Sequence, residues 1–316
     1  MNLKKWVVSG VIAFILYMLF LRLTDAGFIA NFIAYISLFV IAGQGWNLLG
    51  GYIGEISFGH AVFFGIGAYT VGLPVGYKLD INLLLLVLLG ALMAGIFALI
   101  ISYPLLRVQG FPFLVGTYGL GVVIRSIVVV TPALFATRGI FISTYSKNFT
   151  YPLIIGFAIA VVIFVQWLVN QDLGLRFKAV RDVPTAARMI GINIYKTKAS
   201  AFVIGAMLTG LAGGLFALYG GFVNPSACFG DNTSIFILLG PYIGGIGSVL
   251  GALFGSTIVI ILQEVARSVI TVNGGHYLMV GALLVVVMML SKEGIYPGIV
   301  KLVKKIKNAY QKRQGE

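Results

Sequence analysis

The chain has 316 residues, 59% of them hydrophobic and 10% charged, with a mean hydropathy of +1.03 and a formal net charge of +13. A soluble globular domain carries about 25% charged residues, so the composition excludes one and predicts an all-α polytopic membrane protein, a single membrane-embedded domain over 1–316. The positive charge is no nucleic-acid signal: most of it falls in segments assigned below to the cytoplasmic side, where it reports orientation and contact with anionic lipid. Cys228 is the only cysteine and the two histidines, His60 and His276, lie far apart in the chain, which leaves no intrachain disulfide and argues against a bound metal.

Lys4 and Lys5 precede an apolar run over 6–21, read as a first span running outward. A signal peptide would need a small-x-small cleavage site, and Leu23-Thr24-Asp25 follows instead. A second span covers 28–49, long enough to cross a hydrocarbon core of ~30 Å at ~1.5 Å per residue. The next stretch, 50–70, is apolar but rich in glycine and holds Glu55, Ser57 and His60. A glycine-interrupted helix is tolerated where a polar cavity or neighbouring helices satisfy its freed backbone groups, and in transporters it marks the pathway. The plainer reading is that the glycines let helices approach closely; the two are compatible.

A fourth span over 81–101 ends at Tyr103-Pro104, with Arg107 in the short connection, and a fifth covers 111–131 with Arg125 inside it. A charge at bilayer depth costs ~2.5–3.5 kcal/mol on insertion scales. Arg125 is therefore expected to face protein, water or a carboxylate, or to snorkel to the outer interface. The outer loop 132–150 leads to a sixth span at 151–169.

The segment 171–200 is the longest clearly polar interior stretch, with Arg176, Lys178, Arg181, Arg188, Lys196 and Lys198 against Asp172 and Asp182. Its basic excess places it in the cytoplasm, and counting back through six spans returns Lys4 and Lys5 to the same side. Its middle reads as a short helix, with Asp182 as N-cap, Pro184 in the first turn and Gly191 at the end. Ala186 and Ala187 give that helix a small-residue surface. Such a helix can press on a soluble partner; equally, the whole segment can be an ordinary solvated basic loop.

A seventh span over 201–222 contains Gly210 and Gly214 at the spacing of a close helix contact. The apolar run 234–265 is too long for one plain span. Pro241 with Gly240, Gly244, Gly245 and Gly247 divides it into a short inward helix and a second helix going out, and Gly247, Gly251 and Gly255 recur every four residues as a small-residue stripe. Glu264 and Arg267, three apart, are placed to pair. A last span near 276–290 and a basic tail over 292–316 put the C-terminus in the cytoplasm. The total is about ten membrane segments, including broken or half-spanning helices, with both termini inside.

No Gly-x-x-x-x-Gly-Lys-Ser/Thr loop, His-Glu-x-x-His or Gly-x-Ser-x-Gly motif occurs. A membrane-bound enzyme would need a nucleophile or metal constellation that the sequence does not assemble, so the chain is read as a non-enzyme. An ion-driven carrier usually needs intramembrane carboxylates or broken-helix cation sites, and the supply here is thin. A transporter energised by a separate subunit fits best, with a stand-alone channel or ion-coupled carrier as the alternative. Glu55, Ser57, His60, Arg125 and Glu264 are the candidate polar groups of a pathway, each with helix packing or interface anchoring as the plain alternative.

The run GYIGEISFGHAVFFGIGAYT resembles the glycine-rich signature of permeases of branched-chain amino acid ABC importers. The loop AVRDVPTAARMIGINIYKTKAS, the segment LLRVQGFPFLVGTYGLGVVIRS, the Gly-Gly-x-Gly-Ser core within 237–255 and Gln263-Glu264 are similar to further segments of the LivM-like subunit, so that the likeness runs over most of 40–291. It implies a permease with no cofactor of its own that pairs with a second, related permease, two cytoplasmic ATP-hydrolysing subunits and an extracytoplasmic substrate-binding protein. Ala186, Ala187 and Gly191, with Pro184 before them, then match the family's Ala-Ala-x-x-x-Gly coupling helix, which fits a groove on an ATPase. The chain departs from the family pattern at Pro184, where an acidic residue is usual, at Glu55, where a neutral one is usual, and at Pro241-Tyr242. Related permeases carry urea or short amides, which keeps those substrates open beside branched-chain amino acids.

Overall fold

In lipid the backbone has no water to bond with, so long apolar runs fold as helices that satisfy their own N–H and C=O groups. The computed structural model describes residues 27–135, 138–142 and 146–269, with the single positions 10, 281, 282, 294 and 298. Within these residues the elements are α1 (Gly27–Asn47), continued by a π-helical turn (Leu48–Ile53), α2 (His60–Gly76), α3 (Leu83–Leu105), α4 (Phe111–Val130), α5 (Lys147–Val169), α6 (Asp172–Asp182), α7 (Pro184–Met189), α8 (Ile194–Gly220), α9 (Pro225–Cys228), α10 (Asp231–Gly244) and α11 (Val249–Val269). Six helical segments are long and apolar enough to cross a membrane. Among the described residues the 17-residue α2 is a shorter apolar helix beside them. The chain is a multi-pass, all-α membrane protein. Apart from those single positions, the spans expected at 6–21 and 276–290 and the basic tail 292–316 lie outside the described residues.

The bundle is built around α8, which packs most extensively on α3, α2 and α1. Small residues make this possible. Gly210 lies on Ala94 and the Gly90 carbonyl, Gly214 on Val87, and a side chain on Gly67 would strike the backbone of Gly210. The expectation of close contact at Gly210 and Gly214 holds. At the periphery α4 is the opposite case, with 17% of its span buried against 78% for α8.

Two of the boundaries that differ from expectation bear on the site. The segment 50–70 is not one interrupted span: its first residues finish α1 as the π turn, the break occupies 54–59, and α2 continues to Gly76. The seventh span begins at Ile194 rather than 201, because the Asn193 side chain accepts the Lys196 N–H at 2.9 Å and caps the helix there. Ile140–Phe141, in the loop before α5, and Phe222–Val223, just after α8, form a two-residue antiparallel pair, Ile140 opposite Val223, too short to show an alternating pattern.

Candidate functional site

Two helix breaks meet at the end of the bundle that carries the polar loop. The first follows the π turn. Gly54, at φ +87°, donates its N–H to the Leu49 carbonyl at 3.0 Å and closes the turn. Residues 55–59 run without regular structure, and side chains from three helices take up backbone groups of this stretch and of the first turn of α2. Trp46 Nε1 donates to the Ser57 carbonyl at 2.8 Å, Thr117 Oγ1 of α4 accepts the Phe58 N–H at 3.1 Å, and Ser234 Oγ of α10 accepts the Ala61 N–H at 3.0 Å. Ser57 Oγ accepts the Gly59 N–H at 3.3 Å and lies 3.1 Å from His60 Nδ1. His60 is buried and its Nε2 has no hydrogen-bond partner among the described residues.

Glu55 carries the charge of this break. Its Oε1 lies 2.5 Å from Lys198 Nζ, and its Oε2 accepts the Gly110 N–H at 3.2 Å where α4 begins. Both charged side chains are buried. Removing one partner of such a pair strands the other charge in a low-dielectric site, at a cost of about 3–5 kcal/mol.

The second break, between α10 and α11, turns on Gly245 and Gly247, both at positive φ. The Asn47 side chain fits it on both faces: Oδ1 accepts the Gly247 N–H at 2.9 Å and Nδ2 donates to the Ser248 carbonyl at 3.1 Å. One helical turn earlier, Gln44 Nε2 donates to the Val249 carbonyl at 2.8 Å. The expected division of 234–265 is present, but four residues beyond Pro241, which sits inside α10. Gly251 and Gly255 face Gly244 and Gly240 of the other limb, where a side chain on either would meet backbone. Gly247 stands in the turn, off that helical stripe, against Gly51.

Arg181, near the end of α6, reaches this junction: its Nη1 donates to the Gly51 carbonyl at 3.0 Å, while its Nε donates to Asp182 at 3.0 Å. Asp182 is thus the last residue of α6 and does not cap α7; Val183 holds the cap position without a side-chain bond. Pro184 stands at the start of α7 and Gly191 ends the segment at φ +85°. Ala186 is exposed, yet Ala187 is buried at 3% exposure, while Met189 and Ile190 stand out at 89% and 75%. The outward surface therefore carries, beside the exposed Arg188, an apolar tip larger than the alanines suggest.

The five candidate pathway residues do not form one constellation. Glu55, Ser57 and His60 share the first break. Arg125 Nη1 lies 3.7 Å from Asp231 Oδ2, near the end of α4 remote from Gly110, and so finds the carboxylate its position calls for. Glu264 pairs with Arg267 at 2.8 Å near the end of α11, as their spacing predicts. Gln44, Asn47, Thr117, Arg181, Lys198 and Ser234 join the site without being among the residues that sequence reasoning proposes for it. For Gln44 and Asn47 a signal exists, since amides inside an apolar span need partners; Lys198 is hidden among the loop's other bases.

An apolar cavity of about 350 Å³ opens between α1, α5 and α11. Its two hydroxyls among the described residues, Ser37 and Thr257, donate to carbonyls of their own helices, and no charged side chain of the described residues lines it. Among the described residues no three of His, Cys, Asp and Glu come together as a metal site.

Residues 28–288 match the model of the family described as branched-chain amino acid transport system / permease component. The chain is 25% identical over 293 residues to the high-affinity branched-chain amino acid transport system permease protein LivM of Escherichia coli K12, covering 82% of this chain and 68% of that one. It is 25% identical over 288 residues to LivH of the same strain, covering 82% and 91%. It is also 31% identical over 147 residues to the fructose import permease protein FrcC of Rhizobium meliloti, covering 44% and 39%. No solved structure matches. With most of its length matched by the family model, its apolar spans and its broken helices, the chain belongs to the branched-chain amino acid transport permease family.

Proposed function

We propose that the chain is the transmembrane permease subunit of an ATP-driven importer in the cell membrane, taking up branched-chain or similar small hydrophobic amino acids by alternating access. In this reading it has about ten membrane segments, those at 6–21 and 276–290 completing the described ones, and both termini are cytoplasmic. It works beside a second, related permease. Two cytoplasmic ATP-binding subunits supply the energy, and an extracytoplasmic binding protein delivers the substrate.

The observation that carries the reading is α7. Its apolar tip, Met189 and Ile190, stands on a basic loop that the excess of Lys and Arg assigns to the cytoplasm. An exposed apolar patch at the end of a polar loop is a surface for a partner, and a short helix seated in a groove is an ordinary mode of recognition. The substrate class rests on relatives named for branched-chain amino acid transport. A small polar solute is the second reading, favoured by similarity to a fructose import permease and to the autoinducer 2 import system permease protein LsrC of an Enterobacter species.

The test is purification of the tagged chain from its native membrane, followed by uptake in proteoliposomes. Two ATP-binding subunits and a second permease are expected in the complex, with ATP-dependent uptake of labelled leucine that fructose and urea do not compete away. Competition by fructose or urea instead would move the substrate to a sugar or a short amide. Recovery without an ATPase, with transport independent of ATP, would overturn the importer reading in favour of a channel or ion-coupled carrier.

A further inference from the structure

The two flanks of α7 grip one short piece of the membrane domain. On the entry side Arg181 donates to the Gly51 carbonyl at 3.0 Å, and its side-chain stem lies against Gly54. On the exit side Lys198, in the second turn of α8, pairs with Glu55 at 2.5 Å. Both contacts fall within residues 51–55, where the π turn ends and the first break begins. The same five residues touch two further elements at this end of the bundle. Gly51 lies against Asn47 and the Gly247 N–H, which binds it to the turn between α10 and α11. Glu55 takes the Gly110 N–H, which binds it to the start of α4.

Apolar side chains can slide over one another at little cost. A buried ion pair and a guanidinium on a carbonyl are directional and fall off steeply with geometry, so they carry a pull or a shear as well as a push. Stability alone does not account for the pair, because a well-packed apolar replacement of a buried ion pair is often as stable or more so. We propose that residues 51–55 are the receiving element through which movement of the α7 loop reaches the membrane helices, with Arg181 and Lys198 as the two positioning residues that hold it. This rests on the reading of the chain as an importer permease, and extends it from the surface that meets the ATPase to the contacts inside the membrane domain that answer it.

The test uses the assembled transporter in proteoliposomes, with ATP hydrolysis and uptake measured on the same preparation. The double variant Glu55→Gln/Lys198→Met removes the charges together, so neither is left buried alone; Arg181→Met keeps the stem against Gly54 and removes the bond to Gly51. Each variant is expected to assemble and hydrolyse ATP near the wild-type rate, while solute moved per ATP falls about tenfold, within the usual range for coupling between sites. A merely structural contact would lower assembly, hydrolysis and uptake together and leave their ratio intact. Because Glu55 is also a candidate pathway residue, Arg181→Met decides whether a fallen ratio comes from coupling, and it decides alone if the double variant fails to assemble. An unchanged ratio in the variants overturns the proposal. Wild-type protein that moves solute without ATP instead overturns the importer reading on which the proposal rests.

Discussion

The Asn47 side chain closes both open backbone groups of the second break, accepting from Gly247 and donating to Ser248 across 200 residues of chain. An amide is the one uncharged side chain type that offers an acceptor and a donor side by side. Asn47→Leu leaves both groups unanswered in a buried place, which costs about 2–6 kcal/mol at the usual 1–3 kcal/mol per stranded group. A lower melting temperature of the purified complex is the expected outcome, and an unchanged one would remove Asn47 from the closure of this break.

Glycine substitutions should separate packing from mere composition. Gly255→Ala drives a methyl into the Gly240 carbonyl and should destabilise by roughly 1–3 kcal/mol as the limbs of α10 and α11 part. At Gly119, in the same kind of apolar helix, no described atom lies within 4 Å of the added carbon. There Gly119→Ala should be neutral or stabilise by up to ~1 kcal/mol through helix propensity. Thermal denaturation of the two variants side by side measures both effects.

Burial changes how α7 should be probed. An aspartate at Ala187 enters the loop's own packing, because that position is 3% exposed. Ala187→Asp is expected to raise the loop's sensitivity to protease. Met189→Asp, at 89% exposure, is expected to leave the protease pattern unchanged and to abolish co-purification of the ATP-binding subunits. Normal co-purification with Met189→Asp would remove α7 from the docking surface.

Cys228 is fully buried at the end of α9, and burial pushes its thiol up to about 12. The reactive thiolate is therefore scarce at pH 8, and still scarce at pH 9, where an ordinary thiol would be largely ionised. Maleimide should label the denatured chain and not the folded one. Labelling of the folded protein that rises between pH 8 and pH 9 would contradict this environment.

Much of the architecture is legible in the residues alone. Six long spans, the division of 234–265 by glycine, the Glu264–Arg267 pair and the partner required by Arg125 all follow from length, residue type and the cost of charge in lipid. The misplacements share a cause. Apolar helices buried on several sides carry little periodicity, so their ends have to be drawn from glycines and charges. Gly50 and Gly51 look like a break and are the close of α1; Lys196 and Lys198 look like loop and are the first turns of α8, because Asn193 caps that helix earlier than the change in polarity suggests. With Lys198 taken for a solvated base, Glu55 has no visible partner, and nothing local supplies one from 143 residues away.

The π turn at Leu48–Ile53 amounts to one spare residue wound into the end of α1. Rewinding it as ordinary α-helix would push that residue out of the turn, rotating the chain beyond it by about 100° and advancing it by ~1.5 Å. Since Glu55 stands two residues past the turn, such a rewinding would turn its carboxylate away from Lys198 and Gly110 together. The segment thus holds its own length reserve, and a one-residue deletion within 48–53 would consume that reserve permanently.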